Sequence, residues 1–246
     1  MSNKIVFVVP VHNRREIATV CLRQLRVICD ELGDATAVLV GAEKFFSDLA
    51  DELQFEWVNS PNSPLGKKWN DSIYYAGVNL EADFIVRFGS DDVVHPSFFD
   101  DLPCEGEIVC TRRTAIVSPD GARLACLTID YEGGDGVQIV PAALWEPLRF
   151  RPALDDRQRA VDASITQNMR LNGVRFAYRY LDNDPLAIID FKTDTPDQRN
   201  TFLSCLPFAK RESDVRGDVF EAVASMHGDA FAAAVAAVYG RTLVAA

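Results

Sequence analysis

The stretch FIVRFGSDDVVHPSFF, residues 84–99, decides how the chain is interpreted. Its apolar first half predicts a buried strand over residues 84–88. The apolar run stops at a Gly-Ser pair, and two carboxylates, Asp91 and Asp92, follow side by side. Adjacent like charges at the end of a core strand have two explanations. They bind a cation with an anionic ligand behind it, or they are the solvated cap of a helix that begins soon after.

The residues before this stretch alternate between strand and helix patterns. Apolar runs typical of strands buried in a parallel sheet occur at 5–9, 35–40, 55–60 and 84–88. The segments between them are predicted to be helices over about 17–32, 45–53 and 67–80. The alternation predicts an α/β fold with an open, mostly parallel sheet and helices on both faces.

Polar residues follow several of these predicted strands. Asp91 and Asp92 follow one, His12 and Asn13 follow the first, and Glu43 comes soon after the second. In open parallel sheets, ligands bind beyond the carboxyl ends of the strands. We therefore expect these side chains to converge on one edge of the sheet.

The second half of the chain has a different pattern. Residues 106–129 are predicted to form strands joined by a turn at 119–121, and a short strand and a helical turn follow near 137–148. A helix that ends before Gly173 comes next. The last thirty or so residues are Ala-rich and mostly helical in pattern.

Composition restricts the class of protein. With 48% hydrophobic residues, the 246-residue chain can bury a large core. The formal charge of −11 argues against a broad cationic surface for nucleic acid. The six cysteines form no C-x-x-C pair, which favours free thiols in a reducing cytosol. No apolar run approaches the roughly 18 residues of a membrane span, so we expect a cytoplasmic protein without one.

Five segments, in order, resemble the GT-A nucleotide-sugar glycosyltransferases, in particular family 2. They are IVFVVPVHNRREI, PLGKKWNDSIYYAG, GSDDVVHPSFF, GDGVQIVPAALWEPLRF and VDASITQNMRLNGVR, and they extend over about two-thirds of the chain. The resemblance implies a GT-A domain over residues 1–205, with a nucleotide-binding half at about 1–103 and an acceptor half at about 104–205. A helical C-terminal appendage would follow over 206–246.

The resemblance implies a metal-dependent transfer from a nucleotide-sugar donor. Asp91 matches the acid that reaches Mn²⁺ or Mg²⁺ in the family, and Asp92 would bind the metal directly or through water. A divalent ion neutralises the charge that develops on the leaving diphosphate. His95, next to this pair, is interpreted as a structural histidine.

Asp162 matches the family's general base, which takes a proton from the acceptor hydroxyl as that oxygen attacks the sugar. A single displacement of this kind inverts the anomeric configuration. A solvated acid at the start of a helix is the alternative explanation for Asp162. Asp155 and Asp156 are the rival bases, although they look more like surface acids.

Other family positions are implied to contact the donor, each with a plainer alternative. Asn13 and Arg14 would bind the nucleotide or simply form a turn and cap. Lys67 and Lys68 would lie near it or be ordinary solvated lysines. The sequence does not decide whether Arg112 and Arg113 neutralise phosphate or face water, or whether Gly133, Gly134 and Gly136 around Asp135 approach a sugar or form a plain turn.

The chain departs from the family pattern at three places. Gly89 stands where many relatives have the first acid of D-x-D. The second strand is followed by GAEKFFSD, so the acid that recognises uracil is missing unless Glu43 replaces it. Val161 stands where the family usually has Glu before the base. The first two departures weaken the case for a UDP-sugar in particular.

Two other classes of protein stay open, a nucleotidyltransferase and a catalytically inactive nucleotide-sugar binding module. The acceptor hydroxyl is not identified by the sequence and would belong to a glycan, a lipid-linked sugar, a protein side chain or a modified nucleobase. Nucleic acid is therefore expected only as an acceptor. A homodimer is also open.

Overall fold

The computed structural model describes residues 3–129, 137–157, 161–192, 209–214 and 218–241. Its strands, in chain order, are β1 Ile5–Pro10, β2 Ala35–Gly41, β3 Glu56–Asn59, β4 Phe84–Arg87, β5 Asp92–Val94, β6 Glu107–Thr111, β7 Arg113–Val117, β8 Leu124–Ile129, β9 Gln138–Pro141, β10 Ala177–Leu181, β11 Ile188–Phe191 and β12 Ala209–Asp214.

The α-helices are α1 Arg15–Leu32, α2 Lys44–Leu53, α3 Leu65–Tyr74, α4 Val161–Leu171, α5 Val219–His227 and α6 Asp229–Val238. The helix predicted over 67–80 is shorter than expected, because α3 continues as a π-helical turn over Tyr75–Asn79. Short 3₁₀ turns occur at Pro96–Phe99, Ala142–Leu144, Glu146–Leu148 and Pro185–Ala187.

A seven-stranded sheet with the order β10-β6-β9-β4-β1-β2-β3 is the centre of the fold. Its strands are parallel except for β9, which is antiparallel to β4 and β6. Side chains alternate across β1: Phe7 and Val9 pack with α1 and α2, whereas Val6 and Val8 pack with α3 and α4. The predicted α/β sheet covered by helices on both faces is therefore confirmed.

A second, five-stranded sheet has the order β12-β8-β7-β11-β5. The hairpin β7–β8 turns at Gly121, whose φ of 65° lies in the left-handed region that favours glycine. This sheet begins at Asp92, directly after the loop that leaves β4. The two sheets therefore meet where the sequence placed its paired carboxylates.

The expected C-terminal helices are present as α5 and α6. Apolar side chains of both helices pack against the second sheet and against Ile17 and Cys21 of α1. Residues 209–214 form a strand, so the stretch after 206 is not helical throughout. The domain boundary at 206 stays a prediction.

Within the described part of the chain, no helix combines the length and apolar character needed to cross a bilayer. Five cysteines are free thiols, as the sequence predicts, and Cys205 lies outside the described residues.

Candidate cation and donor site

Three carboxylates converge where the two sheets meet. Asp91, Asp92 and Asp190 each have an oxygen within 4.8 Å of the others. Asp91 and Asp92 are buried, with 6% and 7% of their surfaces exposed. Three buried or half-buried acids this close together need cations near them to be stable.

Gly89 is the residue that allows Asp92 to take its position. The Asp92 carboxylate turns back and accepts a hydrogen bond from the Gly89 N–H at 3.0 Å. A Cβ at position 89 would lie only 2.4 Å from Asp92 Oδ2. The departure from the family's first acid at this position therefore has a physical reason, since the Asp92 carboxylate occupies the space of the missing side chain.

The helix-cap explanation of Asp91 and Asp92 is wrong. Asp92 begins strand β5, and the turn at Pro96–Phe99 is capped by His95, whose side chain accepts a hydrogen bond from the Ser97 N–H. His95 is the structural histidine that the sequence indicates, and it also hydrogen-bonds the Ser97 hydroxyl at 2.7 Å.

Asp190 is the acid that the sequence analysis missed. It lies on β11 directly opposite Asp92 in the antiparallel pair with β5, and the next amide, Phe191 N–H, donates to Asp91 O at 2.9 Å. Like charges directly opposite in a sheet are destabilising. The only local signal was a single acid inside the apolar run LAIIDF, which has a meaning only once its strand partner is known.

Two protein cations partly neutralise this cluster. The Arg14 guanidinium donates to Asp91, and the Lys192 ammonium pairs with Asp190. Burial disfavours the charged guanidinium, but the three nearby acids outweigh this and raise the pKa of Arg14. Arg14 and Lys192 therefore offset part of the negative charge of the three carboxylates.

Asn13 and Arg14 form a strained turn between β1 and α1. Their φ angles are 53° and 46°, which non-glycine residues rarely adopt. The Glu43 carboxylate holds the turn by accepting from the Asn13 N–H at 3.0 Å and by bonding His12 Nδ1 at 2.8 Å. Burial raises the pKa of Glu43, but these hydrogen bonds outweigh it and the net pKa is lowered.

Lys67 and Lys68 have different surroundings. Lys67 is partly exposed and pairs with Asp71. Lys68 is only 1% exposed, and its ammonium donates to Val11 O at 2.7 Å and to Asn62 Oδ1 at 2.6 Å. Its interpretation as a solvated lysine is wrong. Burial lowers the pKa of Lys68 to about 8.

Asp162 lies in the first turn of α4, but its side chain is outside the described part of the chain. Asp155, a rival base, accepts from Asn70 Nδ2 at 2.8 Å, and Asp156 is exposed. Asn70 also bonds both backbone groups of Ala153 at 2.8 Å, so it clamps the segment that leads towards α4.

Arg112, Arg113 and the glycine-rich segment near Asp135 are the remaining candidates from the sequence. Arg112 is exposed and stacks on the Tyr180 ring, 5.0 Å from its centroid. Arg113 donates to Asn183 O at 3.5 Å. Neither contact involves the three acids. Gly133, Gly134, Asp135 and Gly136 lie outside the described residues.

The chemistry of the acidic cluster fits a hard divalent cation. Carboxylate oxygens are the ligands that Mg²⁺ and Mn²⁺ prefer, and Asp91, Asp92 and Asp190 converge on one position. These three residues would hold the ion.

Solved structures of S. aureus TarS are similar to this chain. TarS 1-349 matches with a TM-score of 0.52 and 15% identity, over 76% of this chain and 60% of that one. Its complex with UDP-GlcNAc matches with a TM-score of 0.55 and 14% identity, over 95% and 73%. The complex of TarS 1-349 with UDP matches with a TM-score of 0.51 and 14% identity, over 77% of this chain and 60% of that one. No family model and no curated protein matches the chain.

At this identity the likeness shows the fold, which is GT-A-like, as the sequence resemblance implies. The chain spans only 60% of the length of two of these TarS structures.

Proposed function

We propose that the protein is an inverting, divalent-metal-dependent glycosyltransferase that moves a sugar from a nucleotide-sugar donor to an acceptor hydroxyl. The convergence of Asp91, Asp92 and Asp190 at the strand ends of a GT-A-like fold carries this proposal. Asp91, in the loop beyond the carboxyl end of β4, and Asp92 and Asp190, on the adjoining small sheet, form a compact set of oxygen ligands next to the edge where parallel sheets bind their ligands.

The donor class is supported by the site and by the neighbouring structures. TarS 1-349 has been solved with UDP and with UDP-GlcNAc. A divalent ion bound by the three acids would neutralise the diphosphate of such a donor. The identity of the sugar and of the base stays open, and UDP-GlcNAc is the first donor to test.

Residues that follow β1 would also bind the donor. Arg14 already lies against Asp91 and would contribute a second positive charge next to the diphosphate. Asn13, in the turn that Glu43 holds, would contact the nucleotide. Lys67 and Lys68 would also lie on the donor side. Lys68 would act indirectly, because its buried ammonium donates to Val11 O.

Asp162 is proposed as the general base. From the start of α4 its carboxylate would take the proton of the acceptor hydroxyl while that oxygen attacks the anomeric carbon on the face opposite the diphosphate. Attack from that face breaks the bond to the diphosphate and inverts the configuration in one step.

The test uses mass spectrometry to measure the turnover of each donor in a panel of nucleotide sugars. Each donor is assayed with Mn²⁺ or Mg²⁺ and again with EDTA. Asp91→Ala is expected to abolish metal-dependent turnover. A loss of about 4 kcal/mol of transition-state stabilisation corresponds to roughly a thousandfold in rate. Asp162→Asn is expected to retain donor binding and lose transfer, whereas Asp156→Asn, which changes the exposed rival, keeps full transfer.

Full transfer by Asp162→Asn would refute the base assignment. Donor binding without turnover of any acceptor would favour the binding module. Release of inorganic pyrophosphate from a nucleoside triphosphate, with a sugar phosphate as co-substrate, would identify a nucleotidyltransferase. The cytoplasmic location, the acceptor and a homodimer stay predictions.

A further inference from the structure

The C-terminal helices pack against elements that lie next to the acidic cluster. Phe231 of α6 packs on Phe191 of β11, with ring centroids 5.9 Å apart. The same apolar cluster includes Ile17 and Cys21 of α1, the helix that follows Arg14. The helical pair therefore lies against α1, which follows Arg14, and against β11, which carries Asp190.

Tyr239, directly after α6, makes a specific contact with the strand that carries Asp190. Its hydroxyl donates a hydrogen bond to Lys192 O at 2.8 Å. Its ring lies 5.8 Å from that of Phe220, and a Cβ on Gly121 would come within 2.9 Å of it. The ring is thus held in place on two sides, and its hydroxyl is aimed at one backbone carbonyl.

Lys192 is fixed at both backbone groups by different elements. Its N–H donates to Val117 O of β7 at 3.2 Å, and its C=O accepts from Tyr239. Lys192 directly follows β11 and is 6% exposed, and its ammonium pairs with Asp190, two residues earlier in the chain. The position of Lys192 therefore affects where the Asp190 carboxylate lies relative to Asp92.

We propose that Tyr239 is a positioning residue for the cation site: through Lys192 it holds Asp190 opposite Asp92, so that the C-terminal helical pair is part of the site. This inference rests on the proposed function, because it takes the three acids to bind a divalent ion. It gives a specific role to a C-terminal segment whose function the sequence left open.

The experiment measures Mn²⁺ binding to the full chain without donor, from the electron paramagnetic resonance signal of free Mn²⁺. Tyr239→Phe removes one oxygen atom and is expected to weaken Mn²⁺ binding three- to tenfold. Asp190→Asn is expected to weaken it more. If Tyr239 acts through Asp190, Tyr239→Phe has no further effect in the Asp190→Asn background.

Phe231→Leu is the matched control. It loosens the packing of the same helical pair and leaves the Tyr239–Lys192 hydrogen bond in place, so its urea midpoint falls while its Mn²⁺ affinity stays within twofold of wild type. Hydrogen exchange at residues 189–192 should be faster in Tyr239→Phe than in Phe231→Leu.

Three results would overturn the positioning role of Tyr239. Tyr239→Phe with wild-type affinity, or with an undiminished effect in the Asp190→Asn background, overturns the positioning role and leaves the metal site intact. An equal loss in Phe231→Leu would mean that the effect is general destabilisation, which also overturns it. Absence of Mn²⁺ binding by the wild-type protein would reject metal dependence in the proposed function, and this inference with it.

Discussion

Each carboxylate of the cluster is placed by a different contact. Asp92 accepts from the Gly89 N–H, Asp91 pairs with Arg14, and Asp190 pairs with Lys192. Since the three acids repel one another, removing any one of these contacts should move the corresponding carboxylate.

Gly89→Ala should weaken Mn²⁺ binding at least tenfold, because the new Cβ would lie 2.4 Å from Asp92 Oδ2. Overpacking of this kind also lowers the free energy of unfolding by about 1–3 kcal/mol. Gly77→Ala is the matched control, since its Cβ would meet the Phe150 ring at 2.2 Å, in a different cluster. Isothermal titration with Mn²⁺ and urea unfolding check both variants. Equal Mn²⁺ affinities for the two variants would contradict this account of Gly89.

Lys68 should make stability depend on pH in a defined direction. Its pKa is lowered to about 8 from an ordinary 10.5, so between these values the unfolded chain binds more protons than the folded one. The Lys68 contribution to the free energy of unfolding therefore rises with pH over this window, by roughly 3 kcal/mol, and is lost as the pH falls to 8.

The measurement is urea unfolding of wild type and Lys68→Met at several pH values from 7 to 10.5. The wild-type free energy minus that of the variant should increase with pH. A difference for Lys68→Met that does not change with pH would show that burial does not lower the pKa of Lys68.

The sequence was sufficient to predict the position of some of these residues and not of others. Asp91 and Asp92 could be located because they come just after an apolar run that ends at a Gly-Ser pair. Asp190 could not, because its role comes from a cross-strand pair with Asp92 that leaves no trace in its own segment. The burial of Lys68 could not be predicted either, because its ammonium is enclosed by Val11 and Asn62, which lie in loops outside its own helix.

At the scale of elements, α3 and the segment before α4 are joined by one side chain. Asn70 is 1% exposed, and its amide bonds Ala153 and Asp155. The close approach of Gly66 to Leu154 O, where a Cβ would lie at 2.0 Å, adds to this contact. The segment that leads towards α4 and Asp162 is therefore held from α3.

Asn70→Ala should release this segment. It leaves the buried N–H and C=O of Ala153 without their Asn70 partners, at a cost of about 2–3 kcal/mol in unfolding free energy. We expect faster hydrogen exchange at residues 153–157 and a lower kcat with unchanged Mn²⁺ affinity. Asn172→Ala, which removes two exposed hydrogen bonds to Asn168 just after α4, should change none of these. A fall in Mn²⁺ affinity in Asn70→Ala would mean that the clamp supports the acids instead.

Periodic elements were predicted well and sheet partners were not. The first strands, α1 and the C-terminal helices carry strong local patterns, which is why their positions agree with the structure. Strand β9 runs antiparallel inside an otherwise parallel sheet, and β5 pairs with the distant β11. Neither feature has a local signal, because partner and direction depend on the rest of the chain.

At the scale of the whole molecule, the cluster joins two sheets. Asp91 lies in the loop after β4 of the large sheet, and Asp190 lies on β11 of the small one. A divalent ion held by both would link the sheets across their boundary. The GT-A-like fold was within reach of the sequence, whereas this junction became evident only in three dimensions.

The most direct test is binding of nucleoside diphosphates, UDP first, measured by calorimetry with Mn²⁺ and with EDTA for wild type and Asp91→Ala. The account predicts tight binding by wild type with Mn²⁺ and at least a hundredfold weaker binding in EDTA or in Asp91→Ala. Equal affinity in EDTA and in Mn²⁺, or unchanged affinity in Asp91→Ala, would contradict the claim that these acids bind a metal which carries the donor's diphosphate.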